Sequence, residues 1–185
     1  MLFYRVFGHI PSATPNAVGH PTYLHRPQTK GRWDNSSLYD SWYLSTSPEG
    51  AIAETFGNLE TWAESMFLRP YLPGGRMQLG VFEVPDDIAI CDLDDANNLL
   101  QLGMKPSQVV IRNSSYTQAR AADAFTMNRW AGIGWWSFHR PSWANRMLWS
   151  TPDKPAPLKF VDTERLELSH RAVNSARATL AKPLR

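Results

Sequence analysis

A chain of 185 residues and 21.0 kDa has the length of one domain, enough to bury about 70% of its unfolded surface, and 43% hydrophobic content with eight Trp, eight Phe and six Tyr excludes a disordered class. A net charge of +2 and a pI near 8.8 are too mild to argue for nucleic acid alone, although they suit an anionic ligand or an acidic partner. The single cysteine, Cys91, excludes an internal disulfide and any Cys-based zinc cluster. The opening MLFYRVFGHI carries a charge after four residues and no long apolar run; it reads as neither signal peptide nor membrane anchor, and a cytoplasmic location is expected.

Leu2 to Phe7 reads as a first strand, with Arg5 its only charge, either paired or reaching for an edge. From Gly8 to Gly31 the chain holds Pro11, Pro15, Pro21 and Pro27 and no clear period, which predicts a long ordered loop of the kind that often carries function. His9, His20 and His25 lack metal-site spacing and acidic neighbours, and read as loop residues.

The next stretch, Gly31 to Gly57, places one polar candidate on each of three successive elements. Arg32 lies in a turn-forming loop. Ser41 to Ser45 alternates as a strand, with Trp42 and Leu44 on one face and Ser41, Tyr43 and Ser45 on the other, so Tyr43 is able to face a cleft. Ser47 is a helix N-cap with Pro48 at the first helical position, and Ile52, Phe56, Leu59, Ala63 and Met66 have the spacing of one buried stripe, predicting a helix that ends near Phe67. Glu54 lies off that stripe, roughly opposite Ile52. On these grounds alone it reads as a solvated glutamate helped by the helix N-terminal dipole.

Arg69-Pro70 and Leu72 to Gly75 form a break, Met77 to Val84 a strand ended by Pro85, and Ile88 to Cys91 a short apolar strand in which Cys91 is a small buried thiol. Asp92 or Asp94 caps a short helix through Leu102, closed by Gly103, which also accounts for the cluster Asp92, Asp94 and Asp95 without a metal. Thr117 begins a stronger helix with Ala121, Ala124, Phe125 and Asn128 on one face and Gly132 as its stop. Ile133 to Phe138 reads as a buried strand. Ser137 within it either bonds a neighbouring backbone group or faces a cleft lined by Trp135. Arg146 to Ser150 and Leu158 to Leu166 are further strands around the turn Thr151 to Pro157, and Ser169 caps a last helix to about Ala181. The glycosylation-like triplets at Asn35 and Asn113 read as chance matches. Strands and helices mix irregularly, which predicts an α+β fold.

There is no glycine-rich phosphate loop, no HExxH and no serine nucleophile elbow. What remains resembles the RES domain family, named for its arginine, glutamate and serine. The resemblance rests on the strand Phe3 to Val6, then Gly31-Arg32-Trp33, Trp42-Tyr43-Leu44-Ser45, and Ser47-Pro48 with Ala51, Ala53 and Glu54. Later come Gly132-Ile133, Trp136-Ser137, Asn145 and Leu148-Trp149. It is strongest over residues 2–150 of a single domain spanning 1–185, with 151–185 a C-terminal strand and helix. Lys30 stands where members often carry a second glycine, and Asp34-Asn35-Ser36-Ser37 replaces an Asn-Pro-Pro-Gly-like run.

The resemblance implies an ADP-ribosyltransferase-like fold of split, mostly antiparallel β-sheets around a cleft with flanking helices. It implies a toxin that degrades NAD, a substrate and not a cofactor, by cleaving the nicotinamide N-glycosidic bond through hydrolysis or phosphorolysis, with no metal. The implied partner is an Xre-family helix-turn-helix antitoxin whose C-terminal segment blocks the cleft. A homodimer within that complex is one option, nucleic acid is met only through the antitoxin, and no membrane is involved. Glu54 would stabilise the oxocarbenium-like ribosyl cation, Arg32 would pair with the pyrophosphate, and Tyr43 would stack on or orient the nicotinamide ribose end. Ser137 would hydrogen-bond near the scissile bond, not as a nucleophile, and Ser45 and Trp135 would line the NAD site. The competing readings are transfer of ADP-ribose to a protein and a non-enzymatic RNA- or single-stranded-DNA-binding module.

Overall fold

The computed structural model describes residues 1–185. In chain order its elements are β1 (Leu2–His9), β2 (Asp40–Ser45), α1 (Pro48–Phe56), β3 (Arg76–Glu83), β4 (Cys91–Asp92), α2 (Ala96–Gln101), α3 (Ser114–Thr126), β5 (Gly132–Trp136), β6 (Ala144–Ser150), β7 (Lys159–Arg165) and α4 (Arg171–Thr179), with 3-10 turns at Glu64–Phe67 and Pro106–Gln108. The strands form a seven-stranded sheet in the order β4-β5-β6-β2-β1-β3-β7. Pairing is mostly antiparallel, with β4 and β5 parallel. This is the α+β architecture that the sequence predicts. No helix is long and apolar enough to cross a membrane.

Contacts divide the chain into two compact units, one comprising Met1–Tyr23, Ser45–Val84 and Leu158–Arg185, the other Leu24–Leu44 and Pro85–Pro157. In the first, β1 pairs with β3 over its whole length, from Leu2 opposite Glu83 to His9 opposite Arg76, and β3 pairs with β7. Helix α1 packs on β1 and α4. Phe3, Ile52, Phe56, Leu79, Phe82, Val173 and Ala176 are buried here, as the alternation of the strands and the spacing of the helices require. Arg5 is half-buried on β1 and donates to the Tyr23 carbonyl (3.2 Å); desolvation lowers its guanidinium pKa to about 10.

The start of α1 is as predicted: Ser47 is the N-cap, its Oγ accepting from Gly50 N at 3.1 Å, and Pro48 follows. Its end is not. The helix stops at Phe56, where the Gly57 amide closes on the Ala53 carbonyl (2.7 Å), and Leu59 is 41% exposed. The residue that pins the following segment is Trp62, fully buried with its indole N–H donating to the Phe56 carbonyl (3.2 Å). The spacing from Ile52 to Met66 therefore runs through a helix and then a turn. At the other end of the unit, His170 and not Ser169 precedes α4, and Ser169 Oγ donates instead to Glu167 (2.7 Å).

The second unit packs α2 and α3 with β4, β5 and β6 around Trp33, Leu93, Leu102, Ala121, Ile133, Met147 and Trp149. Helix α3 begins three residues before Thr117, because the Asn113 side chain caps it, accepting from Tyr116 N at 3.2 Å. Its exit is made by Asn128, at φ 50, and not by Gly132. Gly132 opens β5 instead, where a Cβ would run into the Met147 carbonyl oxygen. Helix α2 is capped by Asp95, which accepts from Asn97 N (2.8 Å), whereas Asp92 pairs with Arg146 (3.0 Å). The apolar run before Cys91 forms strand only at Cys91–Asp92. Cys91 is fully buried and desolvation pushes its thiol up to about 12, the inert cysteine expected.

Candidate active site

The loop that carries Arg32 has no ladder of its own, so its backbone groups must find side chains. Arg26 grips Asp40 through Nε and Nη2 (2.8 and 2.6 Å). The Gln28 carboxamide acts as a piece of strand against β2: its Nε2 donates to the Ser41 carbonyl at 2.8 Å and its Oε1 accepts from Ser41 N at 2.7 Å. From α3, Gln118 Nε2 donates to the carbonyls of Thr29 (3.1 Å) and Gly31 (2.8 Å), and Thr117 Oγ1 donates to that of Arg32 (2.6 Å). A run of polar loop residues is thus fastened to β2 and α3.

Arg32 is half-buried. Its Nη1 donates to the carbonyls of Val109 (2.9 Å) and Ile111, which fixes the guanidinium plane. Tyr43, on β2, is also half-buried, and its hydroxyl is turned inward: it accepts from Trp33 N (2.9 Å) and donates to Asp34 Oδ1 (3.0 Å). Asp34 is only 5% exposed, and its Oδ2 accepts from Gly31 N at 2.6 Å. Burial first, and then the Asp34 charge, raises the Tyr43 phenol well above its ordinary range, so it stays protonated. The Trp135 ring meets Trp33 and Tyr43 edge-on, at centroid distances of 5.7 and 6.2 Å. Arg32, Tyr43 and Trp135 therefore belong to one packed constellation, joined through Trp33 and Asp34.

Ser137 follows β5 and is buried; its Oγ accepts from His139 N (3.1 Å) and its N–H donates to the Trp143 carbonyl (2.9 Å). Of the two readings the sequence leaves for it, the bond to neighbouring backbone is present.

In the first unit, Glu54 is exposed on α1, the residue pair Ile52 and Phe56 being the buried side that sets the helix rotation. Ser45 ends β2 opposite Tyr4, buried, and its Oγ accepts from Ser47 N at 3.5 Å at the entry to α1. Ser45 thus stands at the entry to the helix, and Glu54, the seventh of its nine residues, stands in its last turn.

Two groups that matter here were not singled out from the sequence. Asp34 stood there only as a departure from a pattern, and Gln28 not at all. The available signal was spacing: an acid three residues after a glycine suits a side-chain cap on a tight turn. Beside them lies an open pocket of about 480 Å³ lined by His25, Pro27, Gln28, Thr29, Lys30 and Asp34. No group of three or more His, Cys, Asp or Glu side chains is arranged to hold a metal ion.

Comparison with protein families matches residues 2–169 to the RES domain. Among solved structures, the chain is similar to one in the crystal structure of the M. tuberculosis MbcT-MbcA toxin-antitoxin complex. The identity is 16% and the TM-score 0.63, covering 98% of this chain and 89% of that one. At that identity the likeness is one of fold. No curated protein matches.

Proposed function

Because the chain belongs to the RES domain family, we propose that it is the toxin of a toxin-antitoxin pair and that it degrades NAD by breaking the bond between nicotinamide and ribose. The observation that carries this reading is the RES match over residues 2–169. The likeness in fold to a chain of a toxin-antitoxin complex supports the antitoxin partner. That partner is of the Xre helix-turn-helix type, with a C-terminal segment that blocks the active site, and the pair works in the cytoplasm.

The bond that breaks joins the ribose C1′ to the pyridinium nitrogen. Its electron pair leaves with nicotinamide, which becomes neutral, so no strong general acid is needed; positive charge grows on the ribosyl ring instead. Water then adds at C1′ and loses a proton, giving ADP-ribose. Glu54 supplies the carboxylate that the developing cation requires, through the ribose hydroxyls or the attacking water. Arg32, its plane held by the Val109 and Ile111 carbonyls, is suited to the pyrophosphate. Tyr43 acts through its ring, because its hydroxyl already donates to Asp34. Trp135 sets that ring edge-on, and Ser137 is the hydrogen-bonding group we assign near the scissile bond.

The test is nicotinamide release by the purified chain, freed from any co-purifying partner, beside Glu54→Gln. We expect the variant to fold and to lose about 100-fold or more in rate, as for other preorganised electrostatic groups. An unchanged rate removes Glu54 from the mechanism. Labelled NAD identifies the acceptor in the same assay: ADP-ribose for water, a phosphorylated product that requires phosphate for phosphorolysis, label on a macromolecule for transfer.

A further inference from the structure

The pocket beside the Arg32 loop carries charges that the reaction above does not use. Its volume of about 480 Å³ lies within the ~300–1,000 Å³ of small-ligand sites. Its exposed wall includes Pro27 and the flat imidazole of His25, a ring surface of the kind on which a heterocyclic base stacks. Lys30 stands exposed at its rim, two residues before Arg32, so one short segment presents two cations in succession. The Asp34 carboxylate forms part of the lining. Each of its oxygens takes one hydrogen bond from the protein, from Tyr43 Oη and Gly31 N, and a carboxylate oxygen has room for a second.

We propose that this pocket takes the adenosine half of the dinucleotide, with Lys30 on the adjacent phosphate and Asp34 accepting from the ribose hydroxyls, and that it selects NAD over its 2′-phosphorylated counterpart. The assignment rests on the NAD-cleaving reading. A carboxylate facing a ribose accepts its O–H groups and repels a phosphate in the same place, the logic by which acidic side chains discriminate these two dinucleotides elsewhere. The walls are fixed: Gln28 is clamped to Ser41, and Thr29 and Gly31 are held by Gln118.

Two variants test it, with AMP and nicotinamide as the probes for the two ends of the substrate. Thr29→Trp fills the pocket from an exposed position, and Lys30→Ala removes the rim charge. Each should raise the KM for NAD and the AMP inhibition constant together, by about tenfold for Thr29→Trp, with kcat within about twofold and the nicotinamide inhibition constant unchanged. Wild-type protein should prefer NAD to NADP by about tenfold or more in kcat/KM, and Asp34→Asn should narrow that ratio. If wild-type protein releases nicotinamide while both variants leave KM and the AMP constant unmoved, the pocket assignment falls alone. If it releases none from either dinucleotide, the NAD reading falls and takes this assignment with it.

Discussion

Gly31 shows how little space surrounds the Arg32 loop. A Cβ there would lie 2.5 Å from Tyr43 Oη and 2.6 and 2.7 Å from the Asp34 carboxylate oxygens. Those atoms are fixed by each other and by the Trp33 amide, so they cannot give way cheaply. Gly31→Ala should therefore cost about 1–3 kcal/mol in urea unfolding, the range of an overpacked core, although the glycine sits in a loop. At this scale the sequence was legible in residue type and poorly legible in direction. The alternation of β2 placed Ser41, Tyr43 and Ser45 on one face correctly, yet Ser41 and Ser45 are buried and the Tyr43 hydroxyl points to Asp34. Period two separates faces; it does not say which are covered. Asp34 has the same lesson from the other side, since a charged residue in a polar loop gives no sign of burial until its hydrogen-bond partners are known.

The start of α1 was easier to read than its end, for a physical reason. An N-cap is a local contact between one side-chain oxygen and an amide two or three residues on, so Ser47-Pro48 identified the first turn of α1. Ser47→Ala should cost about 1 kcal/mol, read as a lowered thermal midpoint, with Ser47→Asp restoring most of it. Where several oxygens compete, the local rule names the element and misses the residue: Asp95 and not Asp92 or Asp94 caps α2, and Asn113, which reads as a chance glycosylation triplet, caps α3. The end of α1 depended on Trp62, whose indole bonds the Phe56 carbonyl and is sealed from solvent by parts of the chain remote in sequence. Apolar spacing continued past Phe56 and carried no sign of that.

For the whole molecule, the α+β class followed from the irregular mixture of strands and helices, whereas the strand order did not. Pairing β1 with β3 joins residues about seventy apart, and nothing in either strand marks the other as partner. Acid sensitivity is a property of the assembled chain too. The pKa of His9, at the end of β1, is lowered from the ordinary 6.5 by desolvation and then by the charge of His20. The unfolded chain then binds more protons than the folded one as pH falls through about 6.5, so this contribution is intact above that pH and lost below it. Thermal midpoints should drop between pH 7.5 and 5.5, and His9→Gln should flatten that slope.

The division of the chain into interleaved units also sets an order in time. Strand β7 and helix α4 lie in residues 158–185, which are synthesised after everything else in their unit. Helix α1, which carries Glu54, packs on α4. On the ribosome that helix waits with an uncovered apolar side, and β3 waits for β7, until the C-terminal residues emerge. A chain cut short before residue 158 lacks both α4 and β7, so the helix bearing the proposed catalytic glutamate never acquires the support that α4 gives it.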